Sequence, residues 1–270
     1  MRKRILSTLL LLVILVVSYL GILHNNKNSN KGDIEFVEKE VQLVEDTIDE
    51  ETNEEQQITY ITGWTRNTVN IHKEPNIDSE VIGTLSFNQP IEYYTYDSAW
   101  GIINYTAEQL GYITLTSISD SVIGHTDHSI SVYKDFKSYM KYTAITSKSS
   151  PQYKLQQNFA YTGNFGIRQV NGRYCIALGT AFTTSIGQYV DLILENGTVI
   201  PCILADVKAN QHTNGNNTIT SHNGCATEFI VDKNQLHSTA RKMGSISYCC
   251  DEWKSKVVTI RVYDINVFNM

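Results

Sequence analysis

Short runs of alternating apolar and polar residues, separated by turn-forming segments, fill the chain from about residue 58 to its end. The segments KEPNIDSE, SFNQP and YDSAWG interrupt these runs early in that region, and ENGT interrupts them later. Alternation with a period of two is typical of half-buried strands, and an Asn-Gly pair between apolar runs is a strong hairpin signal. We therefore predict a mainly β protein.

The β-rich region divides into two units with a connector between them. Residues 58–119 predict a small all-β unit of about five strands. Residues 120–155 form the connector, where apolar residues at 132, 136, 139, 140 and 144 predict one amphipathic helix. Residues 156–270 predict roughly six strands in a small barrel and one short helix at KNQLHSTARKMG, which Gly244 ends.

The N-terminus predicts a membrane anchor at residues 1–23. Arg2, Lys3 and Arg4 precede an uncharged run over residues 5–23 that, as a helix, would be about 28 Å long, close to the hydrocarbon thickness of a bilayer. Positive charge on the short N-terminal side places the rest of the chain outside the cytoplasm. A cleaved signal peptide is the alternative, although no A-x-A pattern follows the run.

Residues 24–57 predict a solvated acidic linker. The stretch from Asp33 to Glu55 holds 11 acids and one lysine, so the net charge of −6 becomes +4 once that stretch is removed. A mildly basic body suits a polyanionic cell wall as partner, but its charge is too weak to predict nucleic-acid binding.

The five cysteines all lie in the C-terminal part and include no C-x-x-C spacing. An odd number leaves at least one thiol outside any intramolecular disulfide. Cys175 and Cys202 lie inside apolar runs, which favours small core residues. A disulfide is the alternative for an exported chain.

Residues 58–119 contain the segments VNIHKEPNIDSEVIGTL, IEYYTY, AWGIINY and LGYITLTSI, which resemble the bacterial SH3-like domain. His72 departs from that family's usual Arg. The family's module binds peptidoglycan cross-bridges, so the resemblance implies a wall-docking role, with a spacer barrel that binds no ligand as the alternative. The candidate groove aromatics, any of which could instead be core residues, are Trp64, Tyr93, Tyr94, Tyr96 and Trp100.

Residues 156–270 contain, in order, ALGT, SIGQYVDLILENG, ILAD, TEFIVD, LHSTARKMG and VVTIRVYD. This order resembles the 3D domain, named for three aspartates, and the double-psi β-barrel of the membrane-bound lytic transglycosylase A type. Asp206 matches the family's central aspartate and Glu228 its third acid. The first aspartate has no counterpart near Ala177, and the insertion KANQHTNGNNTITSHNGC replaces a short glycine-rich loop.

Asp206 and Glu228 are the candidate catalytic residues. Cleaving a glycosidic bond needs a proton on the leaving oxygen, which a carboxylic acid delivers if burial or a like charge raises its pKa. The resemblance implies that the sugar's own 6-hydroxyl attacks, so Asp206 alone acts as acid and then base, with no cofactor, while Glu228 holds its proton or the substrate. We expect Lys208, His212 and Thr180 to contact the substrate.

Other interpretations of the same residues stay open. Asp206 could be an ordinary strand-end acid that caps a turn, and a zinc site could use His212, His222 and Cys225 with Asp206. The sequence contains no G-x-S-x-G, P-loop or G-x-G-x-x-G motif. The sequence thus predicts a single-pass membrane protein with an extracytoplasmic peptidoglycan-cleaving body. The alternative is a non-catalytic wall-binding or scaffold protein.

Overall fold

The computed structural model describes residues 59–270. Tyr60–Met270 pack as one compact body that contains both of the β-rich units defined above. The predicted anchor at residues 1–23 and the whole acidic linker at 24–57 lie outside the described residues, as does residue 58. Within residues 59–270, no helix combines the length and hydropathy that crossing a bilayer requires. The described chain is mainly β, with two sheets and few helices, which confirms the predicted class.

The first sheet contains seven short strands joined by antiparallel pairing. They are β1 (Ile61–Thr65), β2 (Val69–His72), β3 (Val81–Leu85), β4 (Pro90–Thr95), β5 (Trp100–Asn104), β6 (Leu110–Thr114) and β7 (Ile118–Ser119). Their order is β3-β2-β6-β5-β4-β1-β7. Ile71 and Ile113 are fully buried at the centre of its small core.

The second sheet contains nine strands. They are β8 (His125–Ser129), β9 (Ser138–Lys141), β10 (Tyr161–Thr162), β11 (Arg168–Val170), β12 (Arg173–Gly179), β13 (Gln188–Leu194), β14 (Val199–Lys208), β15 (Thr227–Val231) and β16 (Val257–Asn266). Their order is β10-β11-β12-β14-β13-β16-β8, with β15 beside β12 and β9 beside β15. The sheet does not close into the barrel predicted from the sequence.

The helix predicted within residues 120–155 is wrong over its apolar positions 132–144. Ser138–Lys141 form β9 instead, which pairs with β15, and His125–Ser129 form β8, which pairs with β16. A helix, α1, begins later at Pro151–Asn158, where Ser150 accepts a hydrogen bond from the Tyr153 N–H and Pro151 occupies the first turn. Residues 120–155 therefore supply two strands to the second sheet.

Two local predictions in the second unit are confirmed. The ENGT segment turns between β13 and β14, with Gly197 at a φ of 85°, a conformation that favours glycine. The second helix, α2 (Ser238–Met243), ends at Gly244, whose φ of 69° is left-handed. Both turns follow directly from where the sequence places glycine.

Cys175 and Cys202 are fully buried in the core of the second sheet, as predicted. All five thiols are free. Burial raises the pKa of Cys175 to about 12, which keeps this thiol protonated at neutral pH.

Phe87 joins the two sheets. It lies in the turn between β3 and β4, and its ring packs edge-on against two rings of the second sheet, 4.9 Å from Tyr263 and 5.5 Å from Tyr189 between centroids. The Arg173 guanidinium lies 5.0 Å from the Phe87 ring centre, within the range of a cation–π contact. The first unit is thus packed against the second through an aromatic side chain.

Candidate functional site

Asp206 of β14 and Glu228 of β15 both pair in register with Ala177 of β12, the strand between them. Residues in register on neighbouring strands project their side chains from the same face of a sheet. Two strand spacings place the two Cα atoms about 10 Å apart. Since Ala177 has only a methyl group, no large side chain separates the two carboxylates. The fold therefore brings the two predicted catalytic residues together.

A bulge in β14 decides which face carries Asp206. Ile176 pairs with Leu204, but the next residue of β12, Ala177, pairs with Asp206, so Ala205 is an extra residue. In a regular strand Leu204 and Asp206 would project from the same face. The bulge places Asp206 on the opposite face instead, beside Glu228. Bulges commonly re-aim a side chain next to a functional site.

The side chain of Asp206 is partly buried and binds through one of its two oxygens. Its Oδ1 accepts hydrogen bonds from the Val207 backbone N–H at 2.9 Å and from the Gln152 amide of α1 at 3.4 Å. Its Oδ2 makes no hydrogen bond to any residue of the range 59–270. Burial raises the pKa of Asp206 and the charge of Glu228 raises it further, while those two hydrogen bonds and Lys208 act in the opposite direction.

Lys208 forms an ion pair with Glu228. Its Nζ lies 3.2 Å from the Glu228 Oε2, and the two side chains are 7% and 27% exposed. Because Lys208 follows Asp206 by two residues in the same strand, both side chains project from one face. The predicted contact residue Lys208 is therefore at the site, where its charge offsets that of Glu228.

The other two predicted contact residues lie on the loop side of the site. Thr180 follows the last residue of β12, and its hydroxyl donates to the Asn210 Oδ1 at 2.8 Å. His212 is exposed and lies next to the Gln211 amide nitrogen. The described structure records no contact of either side chain with Asp206 or Glu228. They flank the site without joining its hydrogen-bond network.

Gln152 is a site residue that the sequence interpretation missed. It lies one helical turn before Gln156, whose side-chain oxygen accepts a hydrogen bond from the Arg168 Nε at 3.1 Å, so both amides extend from one side of α1 toward the second sheet. A pair of glutamines four residues apart in PQYKLQQN is the signal that the sequence offered. That signal has no chemical specificity, because the same spacing occurs on any solvated helix.

The zinc hypothesis lacks support among residues 59–270. No three His, Cys, Asp or Glu side chains in that range converge as a metal site would require. The Cys225 thiol instead lies 2.8 Å from the Asn223 Oδ1 and 3.0 Å from the Ser138 hydroxyl. His222 is exposed on the loop beside Asn223.

The predicted groove aromatics separate into core and surface. Tyr93 and Trp100 are buried in the first unit, and Trp64 is half-buried, whereas Tyr96 is 52% exposed. Two edge-to-face ring pairs, with ring centroids 5.9 Å and 5.4 Å apart, form what we call the tyrosine patch. Two of its four members, Tyr60 and Tyr112, were not among the predicted aromatics. The patch consists of Tyr60 with Tyr94 and Tyr96 with Tyr112.

A scan against protein-family models finds no family that matches this chain, and a search of curated proteins finds no similar sequence.

Proposed function

We propose that this chain cleaves the glycan strands of peptidoglycan as a lytic transglycosylase, with Asp206 as its single acid and base. In this proposal the first unit is an SH3-like wall-binding module and the second is a 3D-like catalytic domain built on the open nine-stranded sheet. The predicted anchor at residues 1–23 holds the body on the outer side of the membrane. No cofactor takes part.

The pairing of Asp206 and Glu228 with the same residue, Ala177, is the observation that carries the proposal, and burial at this position raises the pKa of Asp206. A general acid must hold a proton near neutral pH, and burial beside a second carboxylate is the arrangement that achieves this. Asp206 also keeps Oδ2 free of hydrogen bonds to described residues, which leaves this oxygen available to donate a proton to a substrate.

The reaction proceeds in two proton transfers. The Asp206 carboxylic acid gives its proton to the glycosidic oxygen, and the bond from that oxygen to C1 of the sugar breaks. The resulting Asp206 carboxylate then takes the proton of the 6-hydroxyl of the same sugar while that oxygen bonds to C1. The products are a shortened strand with a free hydroxyl and an anhydro sugar, and Asp206 is protonated again.

The ion pair between Lys208 and Glu228 favours this reaction over hydrolysis. A hydrolase needs a second carboxylate that is free to attack the sugar or to activate water. Glu228 is instead neutralised by Lys208 at 3.2 Å. We propose that Glu228 sets the charge around Asp206, and that Lys208 contacts the oxygens of the substrate.

The alternative is a wall-binding protein without activity, and the tyrosine patch favours it. Exposed aromatic rings bind sugars or peptides whether or not a reaction follows. Incubation of the full chain with purified peptidoglycan, followed by mass spectrometry of the soluble products, separates the two functions. Anhydro sugars are the expected products; sedimentation with the wall and no soluble product would support the alternative. Reducing sugars would indicate hydrolysis and contradict the proposed reaction.

A further inference from the structure

A cavity of about 500 Å³ lies between the two units, away from Asp206. Its walls come from Asn67 and Phe87 of the first unit and from Arg173, Asp191 and Tyr263 of the second, among others. Pro201 also lines it, and Asp206 lies five positions after Pro201 in the same strand, or about 17 Å away. The volume falls within the range of about 300–1,000 Å³ that is typical of small-molecule sites.

A buried ion pair forms one wall of this cavity. Arg173 is 5% exposed and donates to the Cys202 carbonyl at 2.8 Å, to the Val190 carbonyl at 2.9 Å and to the Asp191 carboxylate. The second oxygen of Asp191 accepts a hydrogen bond from the Tyr263 hydroxyl at 2.7 Å. The pair is therefore neutral overall. The Arg173 Nη1 makes no hydrogen bond within residues 59–270 and is a spare donor.

The first unit supplies a spare acceptor among the residues that line the cavity. The Asn67 Oδ1 is buried and has no hydrogen-bond partner among the described residues. Leaving a buried polar atom unpaired costs free energy, so such an atom beside a cavity calls for an explanation. A ligand that donates a hydrogen bond at this position provides one.

We propose that the cavity binds a neutral molecule through a secondary amide. The amide N–H donates to the Asn67 Oδ1, the amide carbonyl accepts from the Arg173 Nη1, and the Phe87 ring packs against the rest of the ligand. A neutral ligand fits because Asp191 already balances the charge of Arg173. Two sources share this chemistry, the backbone of a short peptide and an acetamido sugar. The site is independent of the proposed reaction at Asp206.

Calorimetric titration of the full chain tests the proposal and distinguishes the sources. The probes are N-acetyl-triglycine amide for the peptide and N-acetylglucosamine for the sugar, and at least one is expected to bind. The form of the binding probe in which every secondary amide nitrogen is methylated has no secondary amide N–H to donate. We expect it to bind at least 10-fold more weakly. Wall cleavage does not enter this measurement, so its outcome is separate from that of the proposed function.

Asn67→Ala is the decisive variant, because the Asn67 Oδ1 has no described protein partner to lose and the fold should be unaffected. We expect at least a 10-fold loss of affinity with an unchanged melting temperature. Asn70→Ala, an exposed asparagine on β2 outside the cavity, is the matched control and should bind as the wild type does. Absence of binding by both probes at millimolar concentration, or equal affinity of Asn67→Ala and wild type, would overturn the proposal.

Discussion

Asp206 and Glu228 pair with the same residue, Ala177, from the two sides of strand β12. One carboxylate is neutralised by Lys208, and the other keeps an oxygen free of described protein partners. Two acids within about 10 Å of each other thus have different surroundings, which is how one fold assigns different roles to two carboxyl groups.

Asp206→Asn should abolish the release of anhydro sugars, because an amide cannot donate and retrieve the proton. The expected loss is at least about 100-fold, in line with the contribution of general acid–base catalysis. Sedimentation with the wall should be unchanged. Asp264→Asn, an exposed acid on strand β16, is the matched control and should keep full activity. Release by Asp206→Asn at the wild-type rate would remove this residue from the mechanism.

The pKa of Asp206 should move in opposite directions when its two charged neighbours are changed. Glu228 raises it and Lys208 lowers it, so Glu228→Gln should lower the pKa and Lys208→Met should raise it. Carbon-13 NMR titration of the Asp206 carboxyl measures this without relying on activity. In an active enzyme the alkaline limb of the pH profile, where Asp206 loses its proton, should follow the same shifts. Equal titration in both variants would show that neither charge acts on Asp206.

Tyr96→Ala should weaken binding to purified peptidoglycan about 3- to 10-fold, corresponding to roughly 0.5–1.5 kcal/mol for an aromatic contact. The ring is half exposed and has an edge contact with Tyr112, so its loss should affect binding more than folding. The matched control is Tyr133→Ala, an 89% exposed tyrosine outside the patch. Identical binding by the two variants would argue against the tyrosine patch as the wall-binding surface.

Alkaline pH should change the free energy of unfolding through two buried groups with opposite signs. Burial raises the pKa of Cys175 from 9.0 to about 12, so the stability that this thiol contributes is complete below pH 9 and is lost as the pH rises toward 12. Burial lowers the pKa of Lys137 from 10.5 to about 8, so its charged form destabilises the fold below pH 8, and stability returns between pH 8 and 10.5.

Urea unfolding of variants between pH 9 and 10.5 separates these two effects. As the pH rises, the free energy of unfolding of the wild type should fall by about 1.4 kcal/mol per pH unit relative to that of Cys175→Ala. Relative to that of Lys137→Met, the free energy of unfolding of the wild type should rise by about the same amount per pH unit. Parallel curves for the wild type and either variant would contradict the assignment for that group.

Phe87→Ala should separate the unfolding of the two sheets. The half-buried ring contacts two tyrosines and Arg173, so we expect a loss of about 2 kcal/mol, below the roughly 3–5 kcal/mol for a fully buried Phe. Calorimetry should then show two transitions in place of one. Tyr133→Ala should keep the wild-type melting curve. A single unshifted transition for Phe87→Ala would show that other contacts hold the units together.

The local elements were predictable because their signals are short-range. Gly197 and Gly244 mark a hairpin and a helix end through backbone preference alone, and the structure confirms both. The helix predicted around positions 132–144 failed because the apolar residues at 136, 139 and 140 also suit a strand edge. Ser138–Lys141 pair with β15, a partner about 90 residues away that periodicity cannot reveal.

The candidate site was predictable in its residue types but not in its arrangement. The sequence identified Asp206, Glu228 and Lys208, and the structure brings all three to one face. The parallel pairing of β12 with β14, the alignment on Ala177 and the amide of Gln152 depend on long-range topology, which one sequence does not encode in any local pattern. The unpaired Asn67 Oδ1 likewise has no local signal in the sequence.

The extra residue Ala205 divides strand β14 into a buried apolar part and a partly buried part that carries charged side chains. Residues 202–205 are all buried in the apolar interior, and directly after them Asp206 and Lys208 project together, partly buried, from the face that carries the candidate site. Chemistry and hydrophobic packing can therefore vary independently on either side of this residue. A one-residue insertion in a strand is sufficient, in geometry, to turn a carboxylate to the opposite face without disturbing the interior that supports it.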